Sequence, residues 1–165
     1  MRNERRGFSL LELVVVIVIV SVLAVFAIDR LLALRFEAER VGVQSVLSAL
    51  RSGLYIEFAG QAARGQLARA AAAEGSNPML TLSEKPESYA GEFHGADPAL
   101  FAPGTWYYDS RDGVLVYLVR FPEQFMGPLG PPARMRYKVV PDYDNNQVRG
   151  LKLVPLEAFS WKGAS

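Results

Sequence analysis

Few residues in this chain have the type and spacing to do chemistry. Glu12 stands near the start of a long apolar run, one turn in from Phe8. A carboxylate near the end of such a run costs on the order of a few kcal/mol unless it reaches headgroups or meets a positive group, so its chemistry is ion pairing. A second candidate is Asp142-Tyr143-Asp144-Asn145-Asn146. Alternating Asp and Asn oxygens suit Ca²⁺, which makes Asp142, Asp144 and Asn146 a weak set of calcium ligands. The same residue types are good turn formers, and Gln147 stands where an EF-hand loop needs glycine, so a plain hairpin turn is the main expectation. His94 is the only histidine and there is no cysteine, which leaves Ser/His/Asp, Cys/His and His-rich metal constellations short of members. Gly127-Pro128-Leu129-Gly130 lacks the Gly-Lys-Ser/Thr ending of a phosphate loop. The residues therefore predict no enzyme and no cofactor.

The element that must position Glu12 is a membrane-length helix. Met1 to Gly7 is short and basic, with Arg2, Arg5 and Arg6 against Glu4. From Phe8 to Ile28 is about 21 residues, or roughly 30 Å as a helix, the thickness of a hydrocarbon core. Leu13 to Ile28 is apolar except for Ser21, and the charged residues Asp29, Arg30, Arg35, Glu37, Glu39 and Arg40 follow. The arginines before the span place the N-terminus in the cytoplasm. A secretory signal peptide fits less well, because Asp29-Arg30-Leu31-Leu32 offers no small-residue exit for cleavage.

Gly7-Phe8-Ser9-Leu10-Leu11-Glu12, set between a basic leader and an apolar run, resembles the processing motif of type IV prepilins and type II secretion pseudopilins. The resemblance covers about a sixth of the chain. It implies that a membrane-embedded prepilin peptidase cuts between Gly7 and Phe8 and then N-methylates Phe8. It also implies that Glu12 pairs with the Phe8 amine of a neighbouring subunit during filament assembly. That role agrees with the physics, since a buried carboxylate is tolerated once it is paired. Many major type IV pilins close a C-terminal loop with a disulfide. A chain without cysteine leans toward a pseudopilin or a minor pilin-like subunit.

Composition bounds the rest. At 165 residues and half apolar, the chain is one domain plus its anchor. Of 18 basic and 17 acidic side chains, loss of residues 1–7 removes three arginines and one glutamate, leaving a net charge of about −1. That balance argues against nucleic-acid binding.

The helical period continues beyond the span. Val43, Leu47, Leu50, Leu54 and Phe58 form one stripe with Val46 beside them, while Arg40, Gln44, Ser48, Arg51 and Ser52 take the other face. One helix is predicted over 9–58, its first half (8–28) transmembrane and its second (29–59) amphipathic. Gly42 and Gly53 mark either bends or close packing contacts. Arg35/Glu39 and Glu37/Arg40 read as weak supports of an exposed helical stretch. Residues 60–104 read as a connecting region: Gly60–Gly75 is Ala-rich and forms either a short second helix, favoured by alanine propensity, or a mobile linker, and Ser76–Pro103 is broken by Pro78, Pro86, Pro98 and Pro103. From residue 105 the period changes to two. Thr105–Tyr108 and Val114–Phe121 read as strands around the hairpin signal Ser110-Arg111-Asp112-Gly113. Arg134–Val140 alternates charged and apolar residues, and Gln147–Val154 returns as a fourth strand. Such a sheet needs an apolar partner, and the helical stripe is the one available. The predicted fold is α+β: a long N-terminal helix packed on a small antiparallel sheet of about four strands in residues 105–165. The resemblance implies the same shape.

The expected function is a structural subunit of a type IV pilus or type II secretion filament. Its partners would be other pilin or pseudopilin subunits, the prepilin peptidase/methyltransferase and the bacterial inner membrane, with the head in the periplasm before assembly. The alternative is a signal-anchored periplasmic domain acting as an enzyme or as a binding module.

Overall fold

In a computed structural model of the chain, the described residues are 10–145 and 147–162, without the side chains of residues 29, 32 and 33. The chain divides into two compact units, Met1–Ala38 and Glu39–Ser165. Helix α1 (Leu10–Ala63) contributes to both.

In the first unit, all described residues belong to α1. Leu10–Ile28 is long and apolar enough to cross a membrane, and none of it is buried against protein. Its side chains, from Leu10 to Ile28, stay exposed, which is the pattern of a segment whose solvent is lipid. Ser21 is absorbed within the helix, its hydroxyl donating to the Ile17 carbonyl at 2.7 Å.

The second unit has its own core. Val43, Leu47, Leu50 and Leu54 are all buried, and Phe58 is half-buried. Val43, Leu47, Leu50 and Leu54 pack against one face of a five-stranded sheet through Trp106, Tyr108, Leu115, Tyr117, Met135, Tyr137, Val139 and Leu153. Gly53 is a point of close approach: a Cβ there would lie 2.9 Å from the Thr81 Cβ. Gly42 has nothing within 4 Å of such an atom, so only one of the two glycines is a packing contact.

The strands are β1 (Tyr89–Phe93), β2 (Trp106–Asp109), β3 (Val114–Leu118), β5 (Arg134–Asp144) and β6 (Gln147–Pro155), hydrogen-bonded in that order. A separate pair is formed by β4 (Phe125–Met126) and β7 (Ser160–Trp161). The hairpin signals act where expected. Asp109 faces Val114 across the Asp-Gly turn, and Gly113 takes a φ of 65°. Asp144 faces Gln147 across a two-residue turn, with Asn145 at a φ of 45°. Strand β5 runs four residues further than its alternation suggests, through Pro141. Beyond Tyr137 it has left β3 behind and has a strand on one side only, the place where a strand tolerates proline.

Two expectations need correction. The sheet is mixed rather than antiparallel, because β1 runs parallel to β2. The 60–104 region is part of the head and not merely a connection. Helix α1 reaches Ala63, five residues past its predicted end, and a short helix α2 (Leu67–Ala71) buries Ala70. The Asn77 side chain accepts from the Met79 amide at 3.1 Å and so caps a 3₁₀ turn, Pro78–Thr81, that sends Met79 into the core. Asn77 also donates to the Tyr89 hydroxyl at 2.9 Å and to Glu92 at 3.2 Å, tying that turn to β1. Residues 93–101 cover the second face of the sheet, where Phe101 stacks on Tyr107 at 4.3 Å. Strands β2 and β3 are therefore buried on both faces, which accounts for the unbroken apolar run Val114–Leu118.

Candidate functional site

Of the residues picked out for processing and assembly, Gly7 and Phe8 lie outside the described residues. Glu12 lies in the first turn of α1, exposed. An acidic side chain there complements the partial positive charge of a helix N-terminus.

The calcium candidate divides. Asn146 lies outside the described residues. Asp142 and Asp144 flank the β5–β6 turn, and both face cations. Asp142 meets Lys152 at 2.8 Å on one oxygen and Arg149 at 3.1 Å on the other; Arg149 also reaches Asp144 at 3.6 Å. Lys152 first and Arg149 second hold the Asp142 carboxyl below the usual carboxylate range. Among the described residues, no group of three or more His, Cys, Asp or Glu is placed to hold a metal ion. Asp142 and Asp144 thus belong to a small network of ion pairs beside the β5–β6 turn.

The most constrained carboxylate is one that the sequence suggests is exposed. Glu39 is 9 % exposed. One oxygen accepts from the Tyr117 hydroxyl at 2.8 Å and from the Arg120 amide at 2.6 Å; the other accepts from the Phe121 amide at 3.2 Å. These donors sit at the end of β3 and just beyond it, so Glu39 latches α1 to the middle strand of the sheet. Bonds of this kind make a buried carboxylate tolerable. Burial, and then the bond to Glu39, push the Tyr117 phenol well above its ordinary pKa. The reading of Glu39 as an exposed i,i+4 support is thus overturned. Its register held the signal, because residues 39, 43, 47, 50 and 54 form one stripe.

Beside this latch, a groove of about 640 Å³ is lined by Val43, Leu47, Tyr137, Phe159 and Trp161, with Arg40 among its lining residues. Phe159 and Trp161 are fixed there through Phe125, at 5.7 and 5.2 Å between ring centres. The β4–β7 pairing that holds them was not foreseen from the sequence.

Residues 2–28 match the family described as the prokaryotic N-terminal methylation motif. The match spans the basic leader, Gly7, Phe8, Glu12 and the apolar run, so the chain carries the prepilin-type signal of type IV pilins and pseudopilins. No curated protein and no solved structure matches the chain.

Proposed function

We propose that a chain bearing this signal is a pilin-like or pseudopilin subunit, structural rather than catalytic, of a type IV pilus or type II secretion filament. The prepilin peptidase removes residues 1–7 and methylates Phe8. Residues 8–28 hold the subunit in the inner membrane, with the N-terminus cytoplasmic and the head periplasmic. On assembly, the same segment packs against its counterparts in other subunits, and the Glu12 carboxylate pairs with a neighbour's Phe8 amine to set register.

The observation that carries this reading is the methylation motif lying directly on an apolar helical segment that buries nothing against its own chain. Support for a structural head comes from its titratable groups. Tyr117 and Tyr137 have raised pKa values chiefly because they are buried in the core. Residues 76–103, which a binding module would use to hold a partner, here supply core residues and a strand.

The test is the intact mass and N-terminal sequence of the protein from its native membrane. A chain beginning at Phe8 with one added methyl group supports processing. A chain that keeps Met1, or begins beyond Ile28, overturns the filament reading and leaves an anchored or secreted domain. Gly7→Ala should leave the leader uncut.

A further inference from the structure

The head sorts its methionines by burial. Of the four in the chain, Met1 lies outside the described residues. Met79 and Met135 are 0 and 1 % exposed and belong to the core between α1 and the sheet. Met126 is 55 % exposed. A thioether is the same soft, polarizable group in all three places, so access decides which sulfur meets an oxidant.

The surroundings sharpen the contrast. Met79 is carried into the core by the Pro78–Thr81 turn, which Asn77 caps. The Met135 sulfur accepts from the Tyr137 hydroxyl at 3.5 Å, which engages one of its lone pairs. A sulfoxide at either place would force a strongly polar S–O bond into a close-packed apolar core. Met126 stands instead in β4, opposite Ser160 of β7. Alternation along that strand turns Phe125 toward the core and Met126 outward. There Met126 shares a shallow, mostly apolar surface with Pro128 and Phe159.

We propose that Met126 is a reversible oxidation site for peroxides. The sulfur lone pair attacks one oxygen of hydrogen peroxide. An S–O bond forms as the O–O bond breaks, and the second oxygen keeps both hydrogens and leaves as water. Sulfur gives up two electrons and the peroxide takes them. A methionine sulfoxide reductase reverses the step: two thiols become a disulfide and the sulfoxide oxygen leaves as water. The exposure that admits the oxidant also admits the reductase. The product puts a polar group beside Phe159, so oxidation alters a surface and leaves the core intact. This site does not depend on the filament reading.

The test uses the full chain in detergent micelles with dilute hydrogen peroxide. Samples are quenched at intervals and digested, and oxygen uptake is followed by mass in the peptides holding Met79, Met126 and Met135. Met126 should react about tenfold faster, or more, than either core methionine. In concentrated urea the three rates should fall within about threefold of one another, because the preference comes from the fold. The chain with one oxygen on Met126 should keep the urea midpoint of the parent. The two sulfoxide reductases, one for each epimer, with dithiothreitol should return the Met126 peptide to its original mass. Met126→Leu should abolish the fast uptake and leave the slow uptake at Met79 and Met135 unchanged. A rate ratio in the folded chain below about tenfold overturns the proposal. So does a preference that persists in urea, which would assign it to local sequence. A lowered midpoint after oxidation of Met126, or a sulfoxide that the reductases cannot reach, would equally overturn it.

Discussion

Removing the Glu39 latch should unfold the head at markedly lower denaturant. Glu39→Ala deletes the acceptor for three hydrogen bonds, those from Tyr117 Oη, Arg120 N and Phe121 N. A hydrogen bond to a charged group contributes about 1.5–3 kcal/mol, and a buried donor left without an acceptor costs about 1–3 kcal/mol. The two amides lie at a strand end where water can replace part of the loss, whereas the Tyr117 hydroxyl is buried. The expected cost is about 3 kcal/mol, or very roughly 10 °C in Tm for a unit of this size. Glu39→Gln keeps an oxygen for Tyr117 and Arg120 but turns an amide toward the Phe121 N–H, so about half that cost is expected. The assay is urea unfolding of the full chain in micelles, in a Trp161→Phe background so that Trp106, which is 2 % exposed, is the reporter. The specific contact is isolated by a double-mutant cycle with Tyr117→Phe, for which a coupling of about 1–2 kcal/mol is expected. A Glu39→Ala cost below about 0.5 kcal/mol, or full additivity with Tyr117→Phe, would refute the reasoning.

Gly42→Ala and Gly53→Ala should have opposite signs. The first meets open space and should gain up to about 1 kcal/mol of helix propensity. The second forces a Cβ against Thr81 and should cost about 1–3 kcal/mol; equal effects in thermal melts would contradict the contact. The head should be labile in alkali. Tyr117 and Tyr137 titrate in the folded state well above the ordinary phenol value, so above about pH 10 the unfolded chain binds fewer protons than the folded one and stability falls as pH rises. Tyr137→Phe should flatten that fall, and a pH-independent melting point between pH 9 and 11.5 would refute it. Asn77→Ala should cost about 1–2 kcal/mol by losing the cap of the Pro78–Thr81 turn and the link to β1, read by urea unfolding. Glu12→Ala should leave processing of Phe8 intact while reducing filament assembly, seen in sheared or sedimented fractions; normal assembly would remove the register role.

Much of the head was legible because its signals are local. The stripe from Val43 to Leu54, the Asp-Gly turn and the alternation of Arg134, Arg136 and Lys138 each fix an element within a few residues. What escaped depends on partners distant in sequence. Tyr89-Ala-Gly-Glu-Phe has no alternating period, contains Gly91 at a φ of 119°, and becomes a strand only by lying parallel to β2. The two-residue β7 exists because Phe125-Met126 lies opposite it. Of the candidate sites, the N-terminal motif is written in consecutive residues and was readable in full. Glu39 was not, since a charge pattern at i,i+4 looks the same on a solvated helix as on one whose carboxylate turns inward.

The position of the Glu39 latch has a mechanical consequence. Glu39 is the first residue of the head unit, and it is bonded to the end of β3, the middle of five strands. Tension arriving along α1 from the anchor therefore enters the sheet at its centre rather than at a rim. A rim strand can be peeled away one ladder at a time. Strand β3 is laced to β2 on one side and to β5 on the other, so extracting it means shearing two ladders at once. The head is thus held at a strand laced on both sides.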